Sequence, residues 1–103
     1  TGFLLTSGQL GIDRDGHIPS SLVEQARLCF LNISELIDEA GFSISDILKV
    51  SGFVTKRKYF VDYMRIRDEF FQGVEVKPAS TLVVVRGFTK AKFMVEVEVI
   101  AQK

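Results

Sequence analysis

The chain has 103 residues, 47% hydrophobic and 25% charged, a composition that predicts one globular domain spanning residues 1–103. Thirteen basic side chains balance thirteen acidic ones, which excludes a global electrostatic attraction to nucleic acid or to anionic membranes. One cysteine, Cys29, excludes a disulfide framework, and without a run of about 20 apolar residues or a basic secretory leader the cytoplasm is the expected compartment.

The first half of the chain predicts a strand followed by a long helix. Residues 3–7 are a short apolar run that is long enough for a strand and too short for a helix. The Asp and Gly residues of segment 13–16 are typical of a surface turn. Ser21 and Glu24 fit a capping box, and the 3-4 spacing of apolar residues after them predicts a helix from Leu22 to Ala40.

The second half predicts a strand, a second helix and a hairpin. Residues 49–55 are typical of a strand in which Gly52 marks a close packing contact. Residues 60–71 show the apolar spacing of a helix of about three turns. Residues 79–86 and 92–101 are both rich in branched apolar side chains, so we expect them to pair as an antiparallel β-hairpin.

Alternation along residues 92–101 separates two faces of the last predicted strand. One face is apolar and predicts the core side; it comprises Phe93, Val95, Val97, Val99 and Ala101. The opposite face carries Glu96 and Glu98 between apolar neighbours. Residues 79–86 are apolar or small on both faces, although helices in a two-layer domain cover only one face of a sheet. We therefore expect a second subunit to cover the other face, with a site at the interface.

Glu96 is the first candidate for chemistry. A carboxylate on a partly buried sheet face, beside Glu98, can have a raised pKa and can position or deprotonate a water. The alternative is a surface Glu that pairs with a Lys across the strand. Ser7 and the amide of Gly8 are candidates for binding a ligand oxygen, because a Gly at a strand end lets a ligand approach the backbone; the alternative is an ordinary turn.

Other residues of reactive type are interpreted as structural. Cys29 falls within the apolar stripe of the first helix, which predicts a small core residue. His17 has no second His to form a ligand pair, and segment 13–16 lacks most ligands of a calcium loop, so neither a metal nor a cofactor is expected. The basic run 56–58 is short and has no aromatic platform beside it, which argues against nucleic-acid binding.

Several segments, in order along nearly the whole chain, resemble one family. They are Thr6-Ser7-Gly8-Gln9, Gln25-Ala26, residues 45–50, Phe53-Val54, Phe70-Phe71, Pro78-Ala79 and residues 95–101. The sequence is similar to the Rid superfamily, also called the YjgF or endoribonuclease L-PSP family, of small homotrimeric imine and enamine deaminases. The resemblance implies a chorismate-mutase-like α+β, two-layer domain: a mixed β-sheet with two helices on one face. It also implies a barrel-like core of three packed sheets, with ligand clefts between subunits.

The resemblance extends unevenly to the family's cleft residues. Ser7, Gly8 and Glu96 match. In deaminating members an Arg two residues after the Pro of the Pro-Ala motif clamps the substrate carboxylate, and here that position holds Ser80. A hydroxyl offers one neutral donor where a guanidinium offers a charged fork, so binding of 2-imino acids by that route is expected to be lost. An Asn of the family's second helix falls at Met64.

Two further expectations concern parts of the cleft outside these matches. The family's first strand, with a cleft Tyr, is expected upstream of Thr1. Arg86 lies six residues beyond Ser80, about 20 Å along a strand, so it cannot replace the clamp within one subunit. It is a candidate for binding substrate in a neighbouring cleft, and the alternative is a surface or interface salt bridge.

The sequence therefore predicts an arginine-lacking Rid-like homotrimer. It is expected to act on or bind a small-molecule metabolite by water-mediated chemistry, with Glu96 as the catalytic residue and without a cofactor, a metal, a membrane or nucleic acid as partner. The alternative is a catalytically silent binding or assembly domain. RNA binding, endoribonuclease activity or translation inhibition is a third hypothesis.

Overall fold

The computed structural model describes residues 2–103. Its strands and helices are β1 (Phe3–Leu5), β2 (Gln9–Leu10), α1 (Leu22–Glu39), β3 (Ile47–Val54), α2 (Phe60–Phe70), β4 (Ala79–Val84) and β5 (Val95–Gln102), with short 3-10 turns at Ile44–Asp46 and Arg57–Tyr59. Both predicted helices are present, and each ends one residue earlier than expected. In this part of the chain neither α-helix has the combination of length and hydropathy needed to cross a bilayer.

Capping residues at both ends set the limits of helix α1. The Ser21 hydroxyl accepts a hydrogen bond from the Glu24 amide at 3.1 Å, which satisfies one of the free amides of the first turn. At the other end Gly41 has φ +84°, a left-handed conformation that glycine adopts without strain. The Phe42 amide then donates to the Ile37 carbonyl at 2.8 Å. These bonds fix the length of α1 and the direction of the chain that leads into β3.

The five strands form one mixed sheet in the order β1-β5-β3-β4, with β2 also paired to β5. β5 runs antiparallel to β1, β2 and β3, whereas β4 runs parallel to β3. The predicted β-hairpin between residues 79–86 and 92–101 is therefore wrong, because β3 lies between these two segments. β3 is a buried strand, so its backbone needs hydrogen-bond partners along both edges. The connection of residues 85–94 is long enough for the chain to cross from one edge of β3 to the other.

The two helices cover one face of the sheet, and the core lies between them. The alternation predicted for β5 is confirmed: Val95, Val97, Val99 and Ala101 are all buried. In β3 the core face includes Gly52, and a Cβ added there would overlap the hydroxyl end of the Tyr63 ring from α2. The close contact expected at this glycine is thus made by an aromatic ring, which brings α2 tightly onto β3.

A buried glutamine ties α1 to the start of β5. Gln25 is fully buried, and its amide nitrogen donates to the carbonyls of Pro19 at 2.8 Å and Lys92 at 2.9 Å. Its side-chain oxygen accepts from the Met94 amide at 2.9 Å. Because all three backbone groups would otherwise lose their partner on burial, this side chain fixes the path of the long connection into β5.

The second face of the sheet carries no helix. The strand registers place Phe53, Val83, Glu96 and Ile100 on this open face. Phe3 and Leu5 of β1 lie on it as well, with exposed fractions of 65% and 70%. The open face is therefore rich in uncovered apolar side chains, as the alternation of the sequence predicts.

Candidate functional site

A bulge between β1 and β2 shapes one part of the candidate site. The Thr6 amide and hydroxyl bond the backbone of Val99, and pairing resumes with Gln9 opposite Val97. Residues 7–8 therefore lie together opposite Glu98, which is the two-against-one pattern of a β-bulge. Bulges of this kind occur often beside active sites, because they turn the backbone out of the ladder and leave its polar groups free.

The bulge brings Gly8 against the side chain of Glu96. A Cβ added at Gly8 would overlap the Glu96 carboxyl group, so only a glycine leaves room for this carboxyl at its observed place. Glu96 is directly paired with Leu10 on one side and with Phe53 on the other. Two of the sequence-predicted site residues are thus in contact, within a setting of apolar side chains.

This setting changes the acidity of the carboxyl group. Burial raises the pKa of Glu96 above its ordinary value, and the nearby Glu98 carboxylate raises it further. The alternative interpretation, a surface Glu paired with a Lys, does not fit: within residues 2–103 the Glu96 carboxylate has no salt-bridge partner, and the residues across from it are apolar. A raised pKa without a cationic partner suits a group that takes up and releases protons.

Ser7 lies at a different surface. Its backbone carbonyl accepts a hydrogen bond from the Gln9 side chain at 3.2 Å. Together with Leu36 and Ala40 at the end of α1, Ser7 lines a shallow pocket of about 390 Å3. The structure therefore joins Gly8 to Glu96 and places Ser7 at the wall of a neighbouring pocket.

A second pocket, of about 540 Å3, surrounds Ser80 between β4 and α2. Its walls include the apolar side chains of Val50, Phe71 and Pro78. Arg67 of α2 also lines it, and its Nη1 donates a hydrogen bond to the Ser80 hydroxyl at 3.2 Å. A guanidinium therefore reaches the Ser80 position from the helix, although the strand itself carries no arginine there.

Sequence reasoning missed Arg67, although the pattern of α2 contains a signal. Tyr63 and Phe71 are buried, and Arg67 is four residues from each, which puts it on the same stripe of the helix. A charged residue on an otherwise buried stripe calls for an explanation. Its side chain is only 22% exposed and is hydrogen-bonded to Asp68 as well as to Ser80.

The two parts of the site lie on opposite faces of the sheet. Ser80 pairs with Val50 on the helix-covered face, whereas Glu96 is in the same row as Phe53 and Val83 on the open face. Strand spacing and rise separate Ser80 and Glu96 by about 14 Å within the sheet. One chain therefore does not bring these two residues together.

Arg86 is not part of either pocket. It follows the end of β4 and is exposed, and within residues 2–103 it has no salt-bridge partner. The surface salt bridge considered as its alternative role is therefore not formed with any residue from 2 to 103. Its role in a neighbouring cleft stays a prediction.

The remaining reactive residues have structural roles in the fold. Cys29 is fully buried with its Sγ 3.7 Å from the Val95 carbonyl, and burial raises the pKa of its thiol far above the ordinary value. The Asp13 carboxylate accepts hydrogen bonds from the amides of Asp15 and His17, so this segment is a turn. Across residues 2–103 the structure places no cluster of acidic, His and Cys side chains that could hold a metal ion.

Comparisons with known proteins agree with this architecture. The sequence profile of the family described as endoribonuclease L-PSP matches residues 1–103. A RutC family protein of Aquifex aeolicus is 35% identical over 103 residues, which cover 99% of this chain and 82% of the relative. A segment of 69 residues, 66% of this chain, is 33% identical to TdcF of Escherichia coli K12, which is named as a candidate reactive intermediate deaminase; this segment spans 54% of TdcF.

A solved structure matches over a longer range. The crystal structure of E. coli TdcF with bound serine has a TM-score of 0.92 and 30% sequence identity, and covers 98% of this chain and 80% of that chain. The expected α+β architecture, a mixed sheet with two helices on one face, is confirmed by this match and by the strand pairing described above. The chain therefore belongs to the endoribonuclease L-PSP family, the Rid superfamily that its sequence resembles.

Proposed function

We propose that this protein is a homotrimer that hydrolyses a reactive imine or enamine metabolite, with Glu96 directing the attacking water. The observation that carries the proposal is the Glu96 carboxyl, which lies against Gly8 among apolar side chains with a raised pKa. The relationship to TdcF, named for the deamination of reactive intermediates and crystallised with serine, supports a small nitrogen-containing substrate.

The chemistry needs one group that moves a proton twice. In the first step the Glu96 carboxylate takes a proton from water as the water oxygen bonds to the imine carbon, and it passes this proton to the imine nitrogen, which gives a carbinolamine. In the second step Glu96 takes the proton of the new hydroxyl and passes it to the amine nitrogen, so the carbon–nitrogen bond breaks, ammonia leaves and a carbonyl forms. A carboxyl group whose pKa is raised by burial accepts a proton more readily than an ordinary carboxylate, which suits it to both transfers.

The free backbone of the bulge contributes to the same site. Residues 7–8 lie outside the regular ladder, so the Gly8 amide is available to the hydroxyl oxygen of the carbinolamine, which gains negative charge as it loses its proton in the second step. Ser7 is a candidate for binding a more distant part of the substrate, since it lies at the adjacent pocket.

The open face supports the trimeric state. Phe3, Leu5 and Val83 expose apolar side chains on a sheet face without helices, and such a face is stabilised when other copies cover it. Assembly also provides a way to complete the site. Ser80 and Glu96 lie on opposite faces of one chain, so a cleft with contributions from two subunits could contain both.

The test is ammonia release from freshly generated 2-imino acids. Glu96→Gln keeps the size of the side chain and removes its ability to accept a proton, so it should lower the rate by about 100-fold or more. Glu98→Gln, on the same strand and face, is the matched control and should retain most of the activity. Equal rates for the native protein and Glu96→Gln would exclude the proposed role of Glu96.

A second candidate function, binding or assembly without catalysis, is favoured by one observation. Ser80 occupies the position at which the deaminating members are expected to carry their carboxylate clamp. If the native protein and Ser80→Arg are both inactive on 2-imino acids, yet the native protein forms a stable trimer, this candidate would replace hydrolysis.

A further inference from the structure

We infer that Arg67 of α2 anchors the carboxylate of a small aliphatic ligand in the pocket beside Ser80. This inference deepens the proposed function by naming the substrate class, and it rests on that proposal only in assigning the ligand as the substrate. Arg67 projects from a helix rather than from the strand, so this chain binds the carboxylate by a residue of its own.

The hydrogen bonds of Arg67 leave donors for a ligand. Its Nε and Nη2 donate to the same oxygen of Asp68 at 3.1 and 2.9 Å, and its Nη1 donates to Ser80 at 3.2 Å. A guanidinium has five N–H groups, so one hydrogen on each terminal nitrogen is left after these three bonds. Donors on the two terminal nitrogens of one guanidinium can bind the two oxygens of a carboxylate.

Ser80 adds a third donor at the same place. Its hydroxyl oxygen accepts from Arg67, and therefore the hydroxyl hydrogen is free to point toward a ligand in the pocket. Ser80 itself carries no charge, but its hydroxyl can donate a hydrogen bond to a ligand whose charge is balanced by Arg67 of α2. The pair offers a carboxylate both charge and fixed geometry.

The charges around Arg67 permit a second anion. The Asp68 side chain is 70% exposed, whereas that of Arg67 is 22% exposed, so solvent competes for the Asp68 carboxylate and weakens its pairing with Arg67. Lys77 also lines the pocket, but its ammonium donates to the carbonyls of Phe71, Gln72 and Val74. Lys77 uses its three donors to close the end of α2, which leaves Arg67 as the cation that is free to recognise a ligand.

The walls of the pocket define the rest of the ligand. Val50, Phe71 and Pro78 are apolar, and the volume of about 540 Å3 suits a small molecule. A ligand with a carboxylate at one end and a short carbon chain behind it satisfies both the donors and the walls. Small 2-oxo and 2-imino acids belong to this class.

The experiment compares pyruvate with methyl pyruvate, which keeps the carbonyl and the chain but has no carboxylate. Calorimetric titration of the native protein should show tighter binding of pyruvate. In Arg67→Ala the pyruvate affinity should fall by about tenfold or more, while methyl pyruvate should change by less than about twofold. Arg67→Lys keeps the charge without the fork and should be intermediate. Arg65→Ala is the matched control, since Arg65 lies on the same helix and pairs with other carboxylates.

Three results would overturn the inference. One is an unchanged pyruvate affinity in both Arg67→Ala and Arg67→Lys, each shown to be folded by circular dichroism. Another is equal binding of methyl pyruvate and pyruvate by the native protein. The third is inorganic phosphate binding as tightly as pyruvate, which would indicate a general anion site.

Imine hydrolysis, measured in parallel, separates this inference from the proposed function. Active native protein with Arg67-independent binding contradicts the inference alone. Inactive native protein with Arg67-dependent pyruvate binding contradicts the proposed hydrolysis and supports the inference.

Discussion

The carboxyl group of Glu96 occupies the space that a side chain at Gly8 would need. Gly8 lies in the bulge between β1 and β2, Glu96 lies on β5 88 positions later in the sequence, and the bulge opposite Glu98 brings them together. A backbone without a side chain here allows the carboxyl to reach a surface where ligand oxygens can also approach.

Replacing Gly8 with Ala should therefore impair activity more than stability. The new Cβ must displace the Glu96 carboxyl, which is at the end of a flexible side chain and can move at little cost. We expect a change of less than about 1 kcal/mol in the free energy of unfolding, and a loss of about tenfold or more in ammonia release. Gly87→Ala is the control, because a Cβ at Gly87 has no atom within 4 Å. Full activity of Gly8→Ala would show that the observed place of the carboxyl is not needed.

The raised pKa of Glu96 predicts a specific dependence of stability on pH. The unfolded chain releases this proton near pH 4.3, whereas the folded chain holds it to a higher pH, so ionisation costs folding free energy. The stabilising effect of the proton is complete below the unfolded pKa and is lost as the pH rises through the folded pKa. Native protein should therefore lose stability relative to Glu96→Gln as the pH rises above about 4.

Urea unfolding of both proteins across this range measures the difference. Glu98→Gln removes the second cause of the raised pKa of Glu96. It should therefore narrow the pH range over which stability is lost, without abolishing the loss. If the free energies of unfolding of the native protein and Glu96→Gln differ by the same amount at every pH, the pKa of Glu96 is not raised in the folded protein.

The contact of Tyr63 with Gly52 predicts a stabilising substitution. Tyr63 is fully buried, and its hydroxyl has no hydrogen-bond partner within residues 2–103. Tyr63→Phe removes an unsatisfied polar group and should raise the free energy of unfolding by about 1 kcal/mol. Gly52→Ala should lower it by about 1 to 3 kcal/mol, because the added Cβ meets a ring that cannot move aside. The double variant should lose less than the sum of the two effects predicts, and strict additivity in chemical denaturation would argue against a direct contact.

The open face predicts which substitutions should disrupt the proposed trimer. Leu5 is 70% exposed on the sheet face that lacks helices, so a charge there would be buried on assembly. Leu5→Asp should shift the protein from trimer to monomer in sedimentation at micromolar concentration. Val61 is equally exposed, at 72%, but lies on α2, and Val61→Asp should leave the trimer intact. A native protein that sediments as a monomer would contradict the proposed assembly.

Much of the fold follows from local chemistry in the sequence. Both ends of α1 depend on Ser21 and Gly41, whose capping roles act within a few residues. The alternation in β5 identifies its core face because side chains alternate between the two faces of any strand, whichever strands pair with it. Gly52 was expected to mark a close contact, although the sequence does not say that Tyr63 makes it.

The errors have a common cause, since they concern pairs of segments that are distant in sequence. β4 and β5 have the composition of a hairpin, but β3 has two buried edges and takes one of these strands on each side. Arg67 escaped notice because its contact with Ser80 joins a helix to a strand 13 residues later. Which strands are neighbours depends on global packing, which local patterns do not encode.

The position of β5 at the centre of the sheet has a consequence for the synthesis of the protein. This strand pairs with β1, β2 and β3, yet every one of those strands leaves the ribosome before it. Until β5 appears, β1 and β2 have no partner, and one edge of β3 is bare, so the growing chain can form helices but cannot close its sheet. Folding should therefore be late and abrupt, and a nascent chain that stalls before Val95 should expose unpaired strand edges that are prone to aggregate.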